Sequence, residues 1–174
     1  DIKGMKFGVS APGSSTHMLL IGWAAKGGVK EKDFVAIGVG AGATVVAAIE
    51  KGQVDGISQT DPALTILQDR GEIVIVVDTR TAKGNQDVFG GAYPAACFYA
   101  QPSFLAQNPN TAQALTNAIV SADAWLQKAS PADVAKTVPK EYLLGDQAIY
   151  EKSFAGVRET ISPDGMRPAG AQDN

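Results

Sequence analysis

Residues 6–17 read Lys6-Phe7-Gly8-Val9-Ser10-Ala11-Pro12-Gly13-Ser14-Ser15-Thr16-His17, and the apolar segment Met18 to Ala25 follows. A short strand, a loop of small residues and a helix start in one run predict a strand–loop–helix unit. The loop offers Gly13 and the consecutive hydroxyls of Ser14, Ser15 and Thr16 at the positive end of a helix dipole. Such a place holds an anionic or polar small molecule without any reactive group. The stretch Val54-Asp55-Gly56-Ile57-Ser58-Gln59-Thr60-Asp61-Pro62 repeats the plan. Its strand ends in polar residues, and a helix begins at Asp61-Pro62 with an aspartate N-cap and a first-turn proline.

The same alternation extends outward. Thr16 to Lys26 is predicted as a helix closed by Gly27-Gly28, with apolar residues around much of its circumference and therefore well buried. Phe34–Val39 is a second strand, Thr44–Lys51 a second helix stopped by Gly52, and the third helix runs to Gly71. Ile73–Val77 is a β-branched run of the kind found in a sheet covered on both faces. This order predicts an α/β fold with a mostly parallel sheet flanked by helices and right-handed crossovers. Residues 79–94 read as a long polar loop and Ala95–Tyr99 as a further strand. A helical segment follows. One helix starts at Pro109-Asn110-Thr111 with Leu115, Ala118, Ile119, Ala122 and Leu126 on one face. A second is capped at Ser130-Pro131, and a third opens at Asp146 with Ile149, Tyr150, Phe154 and Val157 spaced for burial. Residues 162–174 are Gly/Pro-rich and polar, which predicts a flexible tail.

The bulk composition narrows the function. The 174 residues are 45% hydrophobic and 19% charged, with a net charge of −3. That balance argues against a nucleic-acid partner, which needs a basic face. Cys97 is the only cysteine, so neither an intrachain disulfide nor a cysteine metal cluster can form. Set in Ala95-Ala96-Cys97-Phe98-Tyr99, it reads as a small core residue. One histidine and scattered carboxylates supply no metal-ligand spacing, and no cofactor is expected. No window approaches a membrane span. The chain opens on Asp1-Ile2-Lys3-Gly4 without a signal-peptide pattern, which reads as a cut start or an internal segment of a mature protein and leaves the compartment open.

Three loops are candidate ligand contacts. Gly13, Ser14, Ser15 and Thr16 carry more hydroxyls than one helix cap requires. Gly40, Gly42 and Thr44 follow the second strand, and the two glycines allow close approach to the backbone. This loop lacks the third glycine of a dinucleotide fingerprint and the Gly-Lys-Ser/Thr of a P-loop. Gln59, Thr60 and Asp61 follow the third strand, with Asp61 both an N-cap and an acceptor for a ligand amine. In open α/β sheets, ligands sit outside the carboxyl ends of the strands. His17 stands two residues after Ser15 on a helix start, where side chains do not face each other, so no Ser/His nucleophilic pair is expected. No catalytic residue is assigned. The pattern describes a binder.

Several phrases resemble a known family. Ile2-Lys3-Gly4-Met5-Lys6-Phe7-Gly8-Val9 with Pro12-Gly13-Ser14-Ser15-Thr16-His17 resembles the opening of the second lobe in ABC-importer substrate-binding proteins. The branch is the nitrate/sulfonate/taurine type, which includes binders of thiamine-pyrimidine precursors. Ala47-Ala48-Ile49-Glu50-Lys51-Gly52-Gln53-Val54-Asp55, Thr60-Asp61-Pro62, Asn108-Pro109-Asn110-Thr111-Ala112-Gln113-Ala114-Leu115 and Ser162-Pro163-Asp164-Gly165 fit as well. The glutamate-x-Gly-x-Val-Asp phrase is widespread among two-lobed binding proteins, and Gly-Ser-Ser-Thr-His is more specific to this branch.

The resemblance implies two α/β lobes of the type II periplasmic binding fold, with the ligand in the cleft. It implies residues 1–94 as one lobe with ligand-facing loops, 95–161 as a crossing strand and return helices, and 162–174 as a tail, with the N-terminal lobe outside this chain. It implies a periplasmic or cell-surface protein that binds a small anionic or polar solute such as a sulfonate, taurine or nitrate. That solute would pass to the membrane subunits of an ABC permease. Ser14, Ser15 and Thr16 would take the acidic head group, with Asp61 beside the cleft. An enzyme or a sensory ligand-binding domain on the same fold is the alternative.

Overall fold

The computed structural model describes residues 2–93, 96–143 and 145–166. The chain divides into two compact units, Asp1–Val76 with Pro139–Ser153, and Val77–Val138 with Phe154–Asn174. The sheet lies in the first. Strand β1 (Lys6–Val9) is central and pairs in parallel with β2 (Val35–Gly38) on one side and β3 (Gly56–Ile57) on the other. In register, Phe7 stands opposite Ala36 and Gly56.

Successive strand side chains point to opposite faces of a sheet, and β1 shows why both faces here are covered. Phe7 and Val9 pack with Leu20 and Ala24 of helix α1 (Ser15–Lys26) and with Phe34. The Phe7 and Phe34 rings meet edge to face, with centroids 5.9 Å apart. Gly56 makes room for this: a Cβ there would lie 2.8 Å from the Phe7 ring. Gly8 points the other way, toward Val39 and Ile57. Those two belong to a second core of Val45 and Val46 from helix α2 (Ala43–Glu50) and Ala63 and Leu67 from helix α3 (Ala63–Asp69). Val9, Val45 and Leu67 are fully buried, and each such side chain stabilises the fold by about 1.5–3 kcal/mol. Helix–sheet–helix layering around parallel strands is the α/β class expected from the sequence.

The helix ends follow local chemistry. Ser14 is the N-cap of α1, its Oγ accepting from His17 N at 3.4 Å. Burial in α1 is confined to Thr16, His17, Leu20 and Ala24, and Met18 is exposed, so the helix shows one buried stripe where wide burial was expected. Gly52 ends α2 with φ at +61°. The α3 N-cap position falls on Pro62, not on Asp61. Asp61 still caps from one residue earlier, its Oδ1 accepting from Thr65 N at 2.9 Å and Thr65 Oγ1 at 2.7 Å. Lys152 pairs with Asp69 at the end of α3.

Ile73–Val77 does not form the expected fourth strand. Val74 and Val76 are 87% and 78% exposed, and among the described residues β1 pairs only with β2 and β3. A β-branched run becomes a strand only where a neighbour completes its ladder.

The second unit is helical. Residues 79–94, expected as a loop, contain helix α4 (Ala82–Phe89). Thr81 Oγ1 caps it by accepting from Gly84 N at 3.0 Å, Lys83 pairs with Asp87 one turn on, and Gly90 closes it in the left-handed conformation. Of the expected strand Ala95–Tyr99, Ala95 lies outside the described residues and the rest carries no strand pairing. Cys97 is exposed, not a core residue, and Phe98 and Tyr99 are exposed beside it. Helices α5 (Pro102–Gln107), α6 (Pro109–Leu126) and α7 (Pro131–Thr137) follow, while α8 (Gln147–Val157) belongs to the first unit up to Ser153 and to the second from Phe154. No residue of α6 is buried, and Leu115 and Ile119 of its apolar face are exposed. Ser130 and Asp133 form a reciprocal capping box at α7. The Ser130 hydroxyl holds the Asp133 carboxyl below its ordinary pKa. Arg158 lies over the Phe154 ring, 4.9 Å from its centroid, and donates to Ala129 O. Residues 162–166 form a turn in which Asp164 Oδ1 accepts from Met166 N, and 167–174 lie outside the described residues.

Candidate functional site

All three parallel strands end at the same edge of the sheet, and each runs into the loop that starts α1, α2 or α3. The first loop is braced by hydroxyls. Ser10 Oγ donates to Ser14 Oγ at 2.9 Å, and Thr16 Oγ1 lies 2.9 Å from both. One hydrogen per hydroxyl closes this ring in a single sense: Ser10 to Ser14, Ser14 to Thr16, Thr16 back to Ser10. Thr16 Oγ1 also accepts from Ser10 N at 2.9 Å and is buried. Ser14 is half-buried, and Ser15 and Gly13 are exposed. The three consecutive hydroxyls therefore divide into an inward pair and one outward group, Ser15. Gly13 has φ at +79°, and its N–H donates to His17 Nδ1 at 3.0 Å.

In the second loop Gly40 and Gly42 both have positive φ, 73° and 63°. Thr44 Oγ1 lies 2.7 Å from Val39 O and 3.0 Å from Ala41 O, so its hydroxyl closes the loop on itself. A Cβ at Gly40 would stand 2.9 Å from that oxygen. In the third loop Thr60 is exposed and Asp61 is half-buried with Oδ1 turned to Thr65.

Two contacts draw the loops together. Ser58 Oγ donates to Thr16 O at 2.8 Å. Gln59 Nε2 donates to Gly40 O at 3.2 Å. Because β1 lies between β2 and β3, the Gln59 bond reaches across the end of the central strand. Ser10 and Ser58, which hold the loops in place, were not among the predicted contact residues, while Gln59, which opens the third candidate loop, is brought to Gly40. The only signal of Ser10 and Ser58 in the sequence is position, immediately after a strand. His17, set aside as a base, acts instead as an acceptor for the loop backbone. Among the described residues no cluster of His, Cys, Asp or Glu could hold a metal ion, and no helix is long and apolar enough to cross a membrane.

Comparison with known proteins extends this geometry. Residues 1–138 match the NMT1-like family. The chain is 29% identical over 131 residues to the nitrate/nitrite binding protein NrtA of Nostoc sp., a match that covers 74% of this chain and 28% of that protein. A solved structure from Bordetella bronchiseptica RB50 is 53% identical, with a TM-score of 0.93 over 98% of this chain and 54% of that one. The alkanesulfonate-binding protein SsuA of Xanthomonas axonopodis pv. citri, solved bound to MOPS, shares the fold at 24% identity and a TM-score of 0.73, covering 98% of this chain and 53% of that one. The chain thus spans about half the length of these solved relatives, and less of NrtA. The resemblance seen in the sequence is borne out: the chain belongs to the NMT1-like family, with the fold of substrate-binding proteins of the nitrate and sulfonate type.

Proposed function

We propose that this chain is part of the solute-binding component of an ABC importer, and that it binds a small anionic or polar solute reversibly at the three converging loops. The observation that carries the reading is the pair of bonds Gln59–Gly40, across the end of β1, and Ser58–Thr16, which together tie the three polar loop ends to one another. In this reading Gly13, Ser14, Ser15, Thr16, Gly40, Gly42, Thr44, Thr60 and Asp61 form half of a cleft. Ser15 and Thr60, both exposed, offer hydroxyls, while Ser14 and Thr16 hold the first loop in shape. A preceding lobe supplies the other half, and residues 95–161 run between the lobes. The solute then passes to permease subunits in the membrane, which places the working protein outside the cytoplasmic membrane.

Binding without catalysis fits the side chains. The His17 Nδ1 lone pair is taken by Gly13 N–H, so the imidazole is not aimed at a serine as a general base. Calorimetry on the full-length protein with nitrate, taurine, alkanesulfonates and pyrimidines tests the reading. Saturable binding of one of them, weakened by Ser15→Ala, is expected. Absence of binding across the whole panel overturns it.

A further inference from the structure

His17 is buried, 8% exposed, and the proposed function leaves its chemistry unused. Its Nδ1 accepts the Gly13 N–H at 3.0 Å. A neutral imidazole has one donor and one acceptor nitrogen, so the ring hydrogen sits on Nε2. That atom is buried without a hydrogen-bond partner. Glu31 Oε1 lies 3.7 Å from it, just beyond hydrogen-bond reach. Residues 10–14 of the loop carry no ionisable side chain, and α1 carries only Lys26 besides His17, two and a half turns further on. The turn Glu31–Asp33 beside α1 adds Glu31, Lys32 and Asp33. Asp33 Oδ2 is occupied by Lys30 N, and Glu31 is the carboxylate that faces the imidazole.

We propose that His17 is a protonation-dependent positioning residue for the first loop. Neutral, it holds the Gly13 amide and with it the turn in which Ser14 N donates to Ala11 O at 3.1 Å. Protonated, it carries a hydrogen on Nδ1 as well, and two donors then face each other across the Gly13 contact. The imidazolium moves toward the Glu31 carboxylate, and residues 11–14 are released. The coupling needs no ligand. Only its consequence, a first loop that loses its shape in acid, bears on solute capture and rests on the function proposed above.

Nuclear magnetic resonance of the 15N-labelled chain, titrated from about pH 8 to about pH 5, tests this. The expected result is an Nε2–H tautomer for His17 at the upper end. The Gly13 amide should then shift with the same midpoint as the imidazole, while the Gly71 amide at the end of α3 stays still. The Glu31 amide should shift in the same titration, as the imidazolium approaches its carboxylate. His17→Asn puts an amide oxygen where Nδ1 stood, so the Gly13 signal should keep its neutral-pH position at every pH. A Gly13 amide that ignores the His17 titration, or an Nδ1–H tautomer at pH 8, overturns the proposal. A Glu31 amide that stays still while the imidazole titrates overturns the move to Glu31. The wild-type titration decides the main point even if the asparagine variant fails to fold.

Discussion

Ser14 and Thr16 hold their hydroxyl oxygens 2.9 Å apart, closing a ring with Ser10. Ser15, between them in the chain, turns outward. Neighbouring hydroxyls therefore have different jobs, and substitution separates them. Thr16→Val keeps the shape of the side chain but leaves Ser10 N–H and the ring without an acceptor. It should cost about 1–3 kcal/mol, the usual penalty for a buried donor left unpaired. Ser15→Ala should change stability by less than about 0.5 kcal/mol. Denaturant unfolding of both variants checks the contrast. Equal losses would show that the ring is not what holds the loop.

Asp61 supports α3 through Thr65 N and Thr65 Oγ1. Asp61→Ala should cost about 1 kcal/mol, the typical value for a lost N-terminal cap. Asp61→Asn keeps an oxygen at the same place and should retain most of the stability. If the asparagine variant binds solute less well than wild type at equal stability, the second carboxylate oxygen serves the ligand. Urea melts and calorimetry on the same preparations make the comparison.

Gly84 sits where a Cβ would fall 1.6 Å from Asp78 O, so the backbone itself would have to move. Alanine normally favours a helix over glycine by up to about 1 kcal/mol. Here the order should reverse: Gly84→Ala should destabilise α4 by about 1–3 kcal/mol, as overpacking does. Amide exchange should show faster opening across residues 82–89, and unchanged protection would refute the account.

Asp78 is gripped by Arg80 through Nε at 2.9 Å and Nη2 at 2.8 Å, with Arg80 N adding a third bond at 3.0 Å. The Arg80 side-chain hydrogen bonds hold the Asp78 carboxyl below its ordinary value, against a smaller opposing push from burial. A carboxyl with a lowered pKa in the folded state stabilises the fold above its unfolded pKa of about 3.9. That contribution is lost as pH falls through the lower folded value. Asp78→Asn should therefore be less stable than wild type at neutral pH and draw level in strong acid. The gap should be small, because the pair is partly solvated, and it should shrink in high salt. Thermal unfolding of the two proteins across pH measures it.

Much of the first unit was legible because each signal was local and doubled. β1 and α1 were marked by a strand run, a capping serine and closing glycines, and α2 and α3 by glycine stops. α4 carried comparable marks in Thr81, the Lys83–Asp87 spacing and Gly90. They were outweighed by a polar composition that resembles a loop, since the helix has little apolar stripe beyond Val88. Ile73–Val77 and Cys97-Phe98-Tyr99 were misjudged for the opposite reason: apolar character implies burial only where a partner surface exists.

The sequence by itself determined the alternation of parallel strands and helices and the three polar loops that follow the strands. Period, caps and glycine stops act within a few residues, so they survive in a linear reading. Only the tertiary structure decided which hydroxyls turn inward, that Gln59 reaches Gly40 across β1, and that His17 spends its lone pair on Gly13. Those outcomes depend on strand order and on side-chain direction around a helix start. Both are set by which surfaces pack together and not by the order of residues along the chain.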